Sequence, residues 1–219
     1  MSPFTGTDLI CFRGGRTVFA GLDFAVGPGD ALILRGPNGS GKSSLLRLMA
    51  GLGRPLQGTI AWDGAPVFED PEAQNARLHY IGHADPVKPV LTVAENLAFW
   101  AAIRDRADTA GAVAEALERL GIGHLASVPG RFLSAGQKRR LGLARLMGTG
   151  RPVWVLDEPT VSLDRGAVAL FAAAVRAHLA AGGAALIATH IDLGLDGDAL
   201  DVSQFRARPP AHDDFDEVF

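Results

Sequence analysis

Gly36-Pro37-Asn38-Gly39-Ser40-Gly41-Lys42-Ser43 is a glycine-rich loop with the make-up to wrap a phosphate chain. Glycines let the backbone turn its N–H groups inward as an anion nest. Lys42 supplies a point charge for β- and γ-phosphates, and the Ser43 hydroxyl is placed to ligand Mg²⁺. The apolar run Asp30-Ala31-Leu32-Ile33-Leu34 predicts a buried strand before the loop. Ser44 to Ala50 predicts a helix after it, closed by Gly51. The positive end of that helix then faces the phosphates. The expected ligand is a nucleoside triphosphate.

A second motif belongs at the same edge. Val153-Trp154-Val155-Leu156 is an apolar strand ending in Asp157-Glu158, with Pro159 stopping it. Ligands of parallel sheets bind beyond the carboxyl ends of their strands. Asp157 is therefore expected to hold the Mg²⁺ that Ser43 contacts, and Glu158, one peptide further out, to polarise a water for in-line attack. His190 follows the apolar run Ala185–Ala188 and Thr189 and ends at the same edge, placed to sense the γ-phosphate.

The chain has 219 residues, 47% hydrophobic and 21% charged, enough for one large domain or a core with a lobe. A net charge of −3 argues against a nucleic-acid binder. No run approaches a membrane span, and the first residues lack a signal-peptide layout. The lone Cys11 excludes an internal disulfide, fits a reducing compartment and reads as a packed small residue.

Thr5 to Arg35 carries short apolar runs broken by Gly14-Gly15 and Gly27-Pro28-Gly29, the pattern of a small antiparallel sheet. Gly58–Trp62 and Ala65–Phe68 flank Asp63-Gly64, a hairpin signal. Leu78–Gly82 predicts another strand, and Thr92 an N-cap for a helix over Val93–Ile103. From about 86 to 150 the composition is helical, so a lobe inserted in the α/β core is expected. Residues 1–205 then form one domain, and the tail 206–219, rich in proline and acid, is expected to be mobile.

Leu133-Ser134-Ala135-Gly136-Gln137 opens a helix to about Met147. Ser134 and Gln137 have capping-box spacing, and the helix N-terminus can equally present donors to an anion. With Asp157-Glu158 some twenty residues later, the pentapeptide resembles the signature motif of ABC-type ATPases. The resemblance covers nearly the whole chain: Walker A at 36–43, signature at 133–137, Walker B at 153–158, a D-loop at Ser162-Leu163-Asp164 and a switch histidine at His190. It implies an α/β fold: a P-loop NTPase (RecA-like) core, an N-terminal antiparallel β-subdomain and an inserted α-helical subdomain.

The resemblance also implies ATP with Mg²⁺, Glu158 as general base, and Lys42 with the 36–44 segment holding the phosphates. His190 would link γ-phosphate to base. A homodimer would form on ATP binding, Ser134, Gly136 and Gln137 closing over the partner's ATP and Asp164 pairing across the interface. An aromatic from the N-terminal sheet usually stacks on adenine. Phe12 lies near that position, with Arg13 as the cationic alternative and ordinary core packing as the other reading of Phe12. The run Lys138-Arg139-Arg140 reads as a solvated helix face.

One departure narrows the branch. Thr92-Val93-Ala94-Glu95-Asn96-Leu97 looks like the family's TVxENL stretch, and counting back from it puts His83 where a Mg²⁺-contacting glutamine is usual. His83 in Tyr80-Ile81-Gly82-His83, with several agreeing stretches, resembles the CcmA ATPases of cytochrome c maturation. A neutral imidazole can accept from a Mg²⁺-bound water and loses that role on protonation. That branch implies peripheral attachment at the cytoplasmic face of the inner membrane. Its membrane-spanning partners would resemble CcmB, with CcmC and CcmD nearby, docking at Val90–Trp100 and the groove around His83. Coupling to haem export or release of a haem-loaded chaperone follows. A generic ABC transporter ATPase and a soluble non-transport ABC ATPase are the alternatives.

Overall fold

The computed structural model describes residues 3–103, 109–147 and 150–206. Strands β1 (Phe4–Arg13), β2 (Arg16–Val26), β4 (Gln57–Trp62) and β5 (Ala65–Pro66) form an antiparallel sheet in the order β2-β1-β4-β5. Strands β3 (Ala31–Arg35), β6 (Leu78–Ile81), β7 (Val153–Asp157), β8 (Ala184–Ala188) and β9 (Asp198–Asp201) form a parallel sheet in the order β6-β7-β8-β3-β9. The helices are α1 (Lys42–Met49), α2 (Pro71–Arg77), α3 (Val93–Ala102), α4 (Thr109–Arg119), α5 (Ala135–Ala144) and α6 (Arg165–Ala180).

Apart from the exposed edge strand β9, the parallel strands are buried on both faces, and their side chains alternate between two cores. Val153, Val155, Leu32 and Leu186 face one cluster, where Leu45, Leu46 and Met49 of α1 meet Phe4, Phe19 and Ile60 of the antiparallel sheet. Trp154, Leu156, Ile33 and Ile187 face the other, shared with Phe171 of α6, Leu117 of α4 and Leu141 of α5. Burying each such Leu or Phe contributes about 1.5–3 kcal/mol. The sheet is thus a stiff platform clamped from both sides.

The predicted strands, the loop-to-helix step and the hairpin form. Asp63 and Gly64 both take positive φ at the turn, as a type I′ hairpin requires. The Thr92 cap forms a full capping box with Glu95. Three elements correct the sequence reading. Asp70 caps α2 by accepting from the Ala73 N–H at 2.9 Å, in a stretch with no apolar periodicity. The signature helix ends at Ala144, short of Met147. The last strand, β9, pairs with β3 although its residues are Asp198-Ala199-Leu200-Asp201. The chain stays ordered after Asp201: Val202 is fully buried and Arg206 bridges to Phe19. The tail from 207 onward lies outside the described residues.

Candidate functional site

Strands β7, β8 and β3 are neighbours, and Ala188 of β8 stands opposite both Leu34 of β3 and Asp157 of β7. Their carboxyl ends therefore stop at one level. The loops leaving them, at 36–41, 158–161 and 189–191, share one edge.

In the first loop Gly41 has φ 109 and caps α1. A Cβ there would lie 2.9 Å from Val18 Cγ1 and 3.0 Å from Phe19 Cδ1, so glycine alone fits both the backbone and the space. Lys42 is buried and its Nζ donates to the carbonyls of Gly36 (2.7 Å) and Pro37 (3.1 Å), holding the ammonium across the loop. Ser40 is buried with a hydroxyl that has no hydrogen-bond partner. One position past Ser43, the Ser44 side chain bonds Cys11, whose thiol burial pushes above its usual range. Cys11 is packed, as expected.

The second loop carries the carboxylates. Asp157 is 1% exposed, and its Oδ1 accepts from Ser43 Oγ at 2.9 Å. Its Oδ2 has no hydrogen-bond partner; His83 Nε2 lies 3.3 Å away, in ion-pair range without hydrogen-bond alignment. A buried carboxylate oxygen left open beside a serine hydroxyl is a hard-oxygen donor set suited to Mg²⁺ completed by phosphate and water. The residues present fit that ion.

Glu158 has φ 48, a left-handed conformation that costs a non-glycine residue about 1–3 kcal/mol. The Glu158 N–H donates to Ala188 O at 2.9 Å, and Thr160 Oγ1 meets Thr189 Oγ1 at 3.2 Å, so the turn is pinned to β8. The Glu158 side chain turns toward the third loop, where His190 Nε2 lies 3.3 Å from Glu158 Oε1 and 3.3 Å from Asn38 Oδ1. Arg35 Nη1 donates to Thr189 O at 3.1 Å and fixes that loop from β3. Phosphate loop, carboxylates, His83 and His190 thus converge.

The signature segment realises the capping box: the Gln137 N–H donates to Ser134 Oγ at 3.2 Å and the Ser134 N–H to Gln137 Oε1 at 2.8 Å. Gly136 packs on the D-loop, where a Cβ would sit 2.6 Å from Ser162 O. Asp164 caps α6, Oδ1 accepting from the Ala167 N–H at 2.8 Å. Phe12 is 54% exposed on β1, so its reading as core is dropped.

The solvated-face reading of Lys138-Arg139-Arg140 is corrected at Arg139 and Arg140. Arg139 is buried, and its guanidinium donates to the carbonyls of Gly82, Asp157, Glu158 and Pro159 and to Asp85 Oδ1. Arg140 reaches Gly121 O at 3.3 Å. A signal was available: Gly142 and Leu143, three and four residues on, put Arg139 on the inward stripe.

Beside His83 runs a groove of about 430 Å³ lined by Arg47, Tyr80, Asp85, Gly142 and Arg145. Burial pulls the Arg145 guanidinium down to about 10, and it lies 3.9 Å over the Trp100 ring. Within Val90–Trp100, Val90 and Phe99 are exposed while Val93 and Leu97 are core, so only part of that stretch is free to meet a partner. Among the described residues no helix is long and apolar enough to cross a membrane.

The ABC transporter family model matches residues 19–161. The cytochrome c biogenesis ATP-binding export protein CcmA of Ruegeria pomeroyi is 56% identical over 215 residues, 98% of each chain. That of Paramagnetospirillum magneticum is 53% identical, over 93% of this chain and 95% of that protein. Among solved structures, a putative ABC transporter (ATP-binding protein) from Pyrococcus furiosus aligns with TM-score 0.82 at 20% identity, covering 94% of this chain and all of that one. CbiO1 from Clostridium perfringens, part of the ABC transporter complex CbiONQ, aligns with TM-score 0.74 at 25% identity, covering 87% and 80% of the two chains. The chain belongs to the ABC transporter ATP-binding family, in the branch of the cytochrome c biogenesis ATP-binding export proteins named CcmA.

Proposed function

We propose that this chain is the ATP-hydrolysing subunit of a membrane ABC complex for cytochrome c maturation, coupling hydrolysis to haem export or to release of a haem-loaded chaperone. Its CcmA relatives of cytochrome c biogenesis support the pathway. The observation that carries the chemistry is the Ser43–Asp157 hydrogen bond, with Glu158 and His190 paired beside it.

In this reading the backbone of Gly36, Pro37, Asn38, Gly39, Ser40 and Gly41, with Lys42, Ser43 and Ser44, cradles the phosphates of ATP. Ser43 and Asp157 would hold Mg²⁺, with His83 placed to accept from a water bound to it, and the ion would supply charge neutralisation for the phosphates. Glu158 orients and deprotonates the attacking water, and His190 holds that carboxylate in place. Phe12 stacks on the base. Ser134, Gly136 and Gln137 of a second copy close the site, and Asp164 pairs across the same interface. Residues 1–205 act as one domain with the lobe 86–150 inserted in its core.

Membrane-spanning subunits resembling CcmB, with CcmC and CcmD nearby, would seat in the groove beside His83. They hold the chain at the cytoplasmic face of the inner membrane. The test is purification of the tagged chain from detergent-solubilised membranes. Recovery with a multispan partner and ATP hydrolysis is expected; recovery as a soluble nucleic-acid complex would instead favour a non-transport ABC ATPase.

A further inference from the structure

We infer that Arg139 is a positioning residue for hydrolysis, a rigid tie through which the signature helix sets the place of the Glu158 carboxylate and of the His83 loop. The inference rests on Glu158 acting as the base, as proposed above.

A guanidinium carries five N–H donors in a fixed planar fork. At Arg139 all five are used. Nε donates to Pro159 O at 2.9 Å, and Nη2 to Asp157 O at 3.1 Å and Glu158 O at 2.7 Å. Nη1 donates to Gly82 O at 2.8 Å and Asp85 Oδ1 at 3.1 Å. Three consecutive carbonyls of the carboxylate-bearing turn therefore converge on one side chain. The middle one belongs to Glu158, whose left-handed φ of 48 an extended or helical turn would not reproduce. The fourth carbonyl immediately precedes His83, and the one acid is two residues beyond it.

The tie originates on α5, five residues past Ser134, which caps that helix. It links three segments distant in sequence: the signature helix, the turn after β7 and the loop after β6. Displacing α5 along its axis would drag the fork, and with it the backbone of Glu158 and His83 together. Arg139 touches none of the reacting groups itself; it acts through the carbonyls it holds. A lysine keeps the charge but presents its donors from one nitrogen and cannot span Pro159, Glu158 and Gly82 together.

The experiment is Arg139→Lys in the full chain purified with its membrane partner, with Lys138→Gln as the neighbouring control. A displacement of about 1 Å at a catalytic group costs up to about 100-fold, so kcat should fall between about 10- and 100-fold while KM for ATP moves less than about threefold. Lys138→Gln should match the parent. In the Glu158→Gln background the same lysine should cost clearly less than in the parent, because one of the two groups it positions is gone; a purely structural role would add in full. An unchanged kcat, a loss carried wholly by KM, or full additivity with Glu158→Gln overturns the inference. If the lysine variant does not fold, Asp85→Ala, which removes one of the five acceptors, should still lower kcat with KM held, and no change in kcat would again overturn it. Failure of Glu158→Gln to impair hydrolysis would count against the underlying reading instead.

Discussion

Ser43 Oγ donates to Asp157 Oδ1 across 2.9 Å, joining the first turn of α1 to the end of β7, 114 residues apart in sequence. Asp157 is buried and its other oxygen has no hydrogen-bond partner. Ser43→Ala would leave both oxygens without one, which costs about 1–3 kcal/mol. A lowered melting temperature together with loss of ATP hydrolysis is expected, and Ser43→Thr, which keeps the hydroxyl, should restore most of both. A thermal melt and a phosphate-release assay decide it; an alanine variant as stable and active as the parent refutes the role.

Glu158→Gln removes the base while keeping side-chain shape. General-base loss costs about 10²–10⁴-fold in rate. ATP affinity should stay within a few-fold, since Lys42, Ser43 and the loop backbone are untouched. Light scattering with ATP and Mg²⁺ should then show a persistent dimer that the parent forms only transiently. Turnover close to the parent's would assign the base elsewhere.

Gly136→Ala tests the contact between signature and D-loop. The new Cβ would sit 2.6 Å from Ser162 O, a backbone atom with little room to move, on a residue with φ 66. The fold should survive, because the strain falls at the surface of α5. Hydrolysis and ATP-dependent dimerisation should both fall at least tenfold. Equal dimerisation by parent and variant would show that the two loops need no close approach.

The legible parts of the sequence were those where chemistry and local geometry coincide. Gly36–Ser43 needs its glycines for backbone shape and its Lys-Ser for charge, so one stretch predicts both fold and ligand. The same holds for the apolar strand ending in Asp157-Glu158. The capping box at Ser134 also follows from local spacing, and the shared edge of His190 and Glu158 from sheet-edge logic, while their pairing is what the family resemblance implies. What stayed hidden depends on tertiary partners. Gly142 and Leu143 mark Arg139 as inward-facing, but its partners appear only when the turn at 157–159 is brought against it. Strand β9 is made by pairing with β3, not by the propensity of Asp-Ala-Leu-Asp. Glu158's left-handed backbone leaves no mark in composition either.

His178 gives a pH dependence far from the nucleotide edge. Its ring stacks on Trp154 with centroids 3.9 Å apart and planes 7° from parallel. Burial lowers its proton affinity below the ordinary histidine value of 6.5, outweighing the carbonyls of Ala184 and Pro152 that favour the charged form. Arg119 and Arg151 line the cleft beside it. The unfolded chain therefore takes up this proton first. Above the unfolded value both states are neutral and the group contributes no pH dependence; as pH falls through about 6.5 the unfolded state gains and stability drops. His178→Phe keeps the stacked ring and removes the titration. Melting temperatures measured from pH 7.5 to 5.5 should decline more steeply for the parent than for the variant, and parallel curves would exclude His178 as the source.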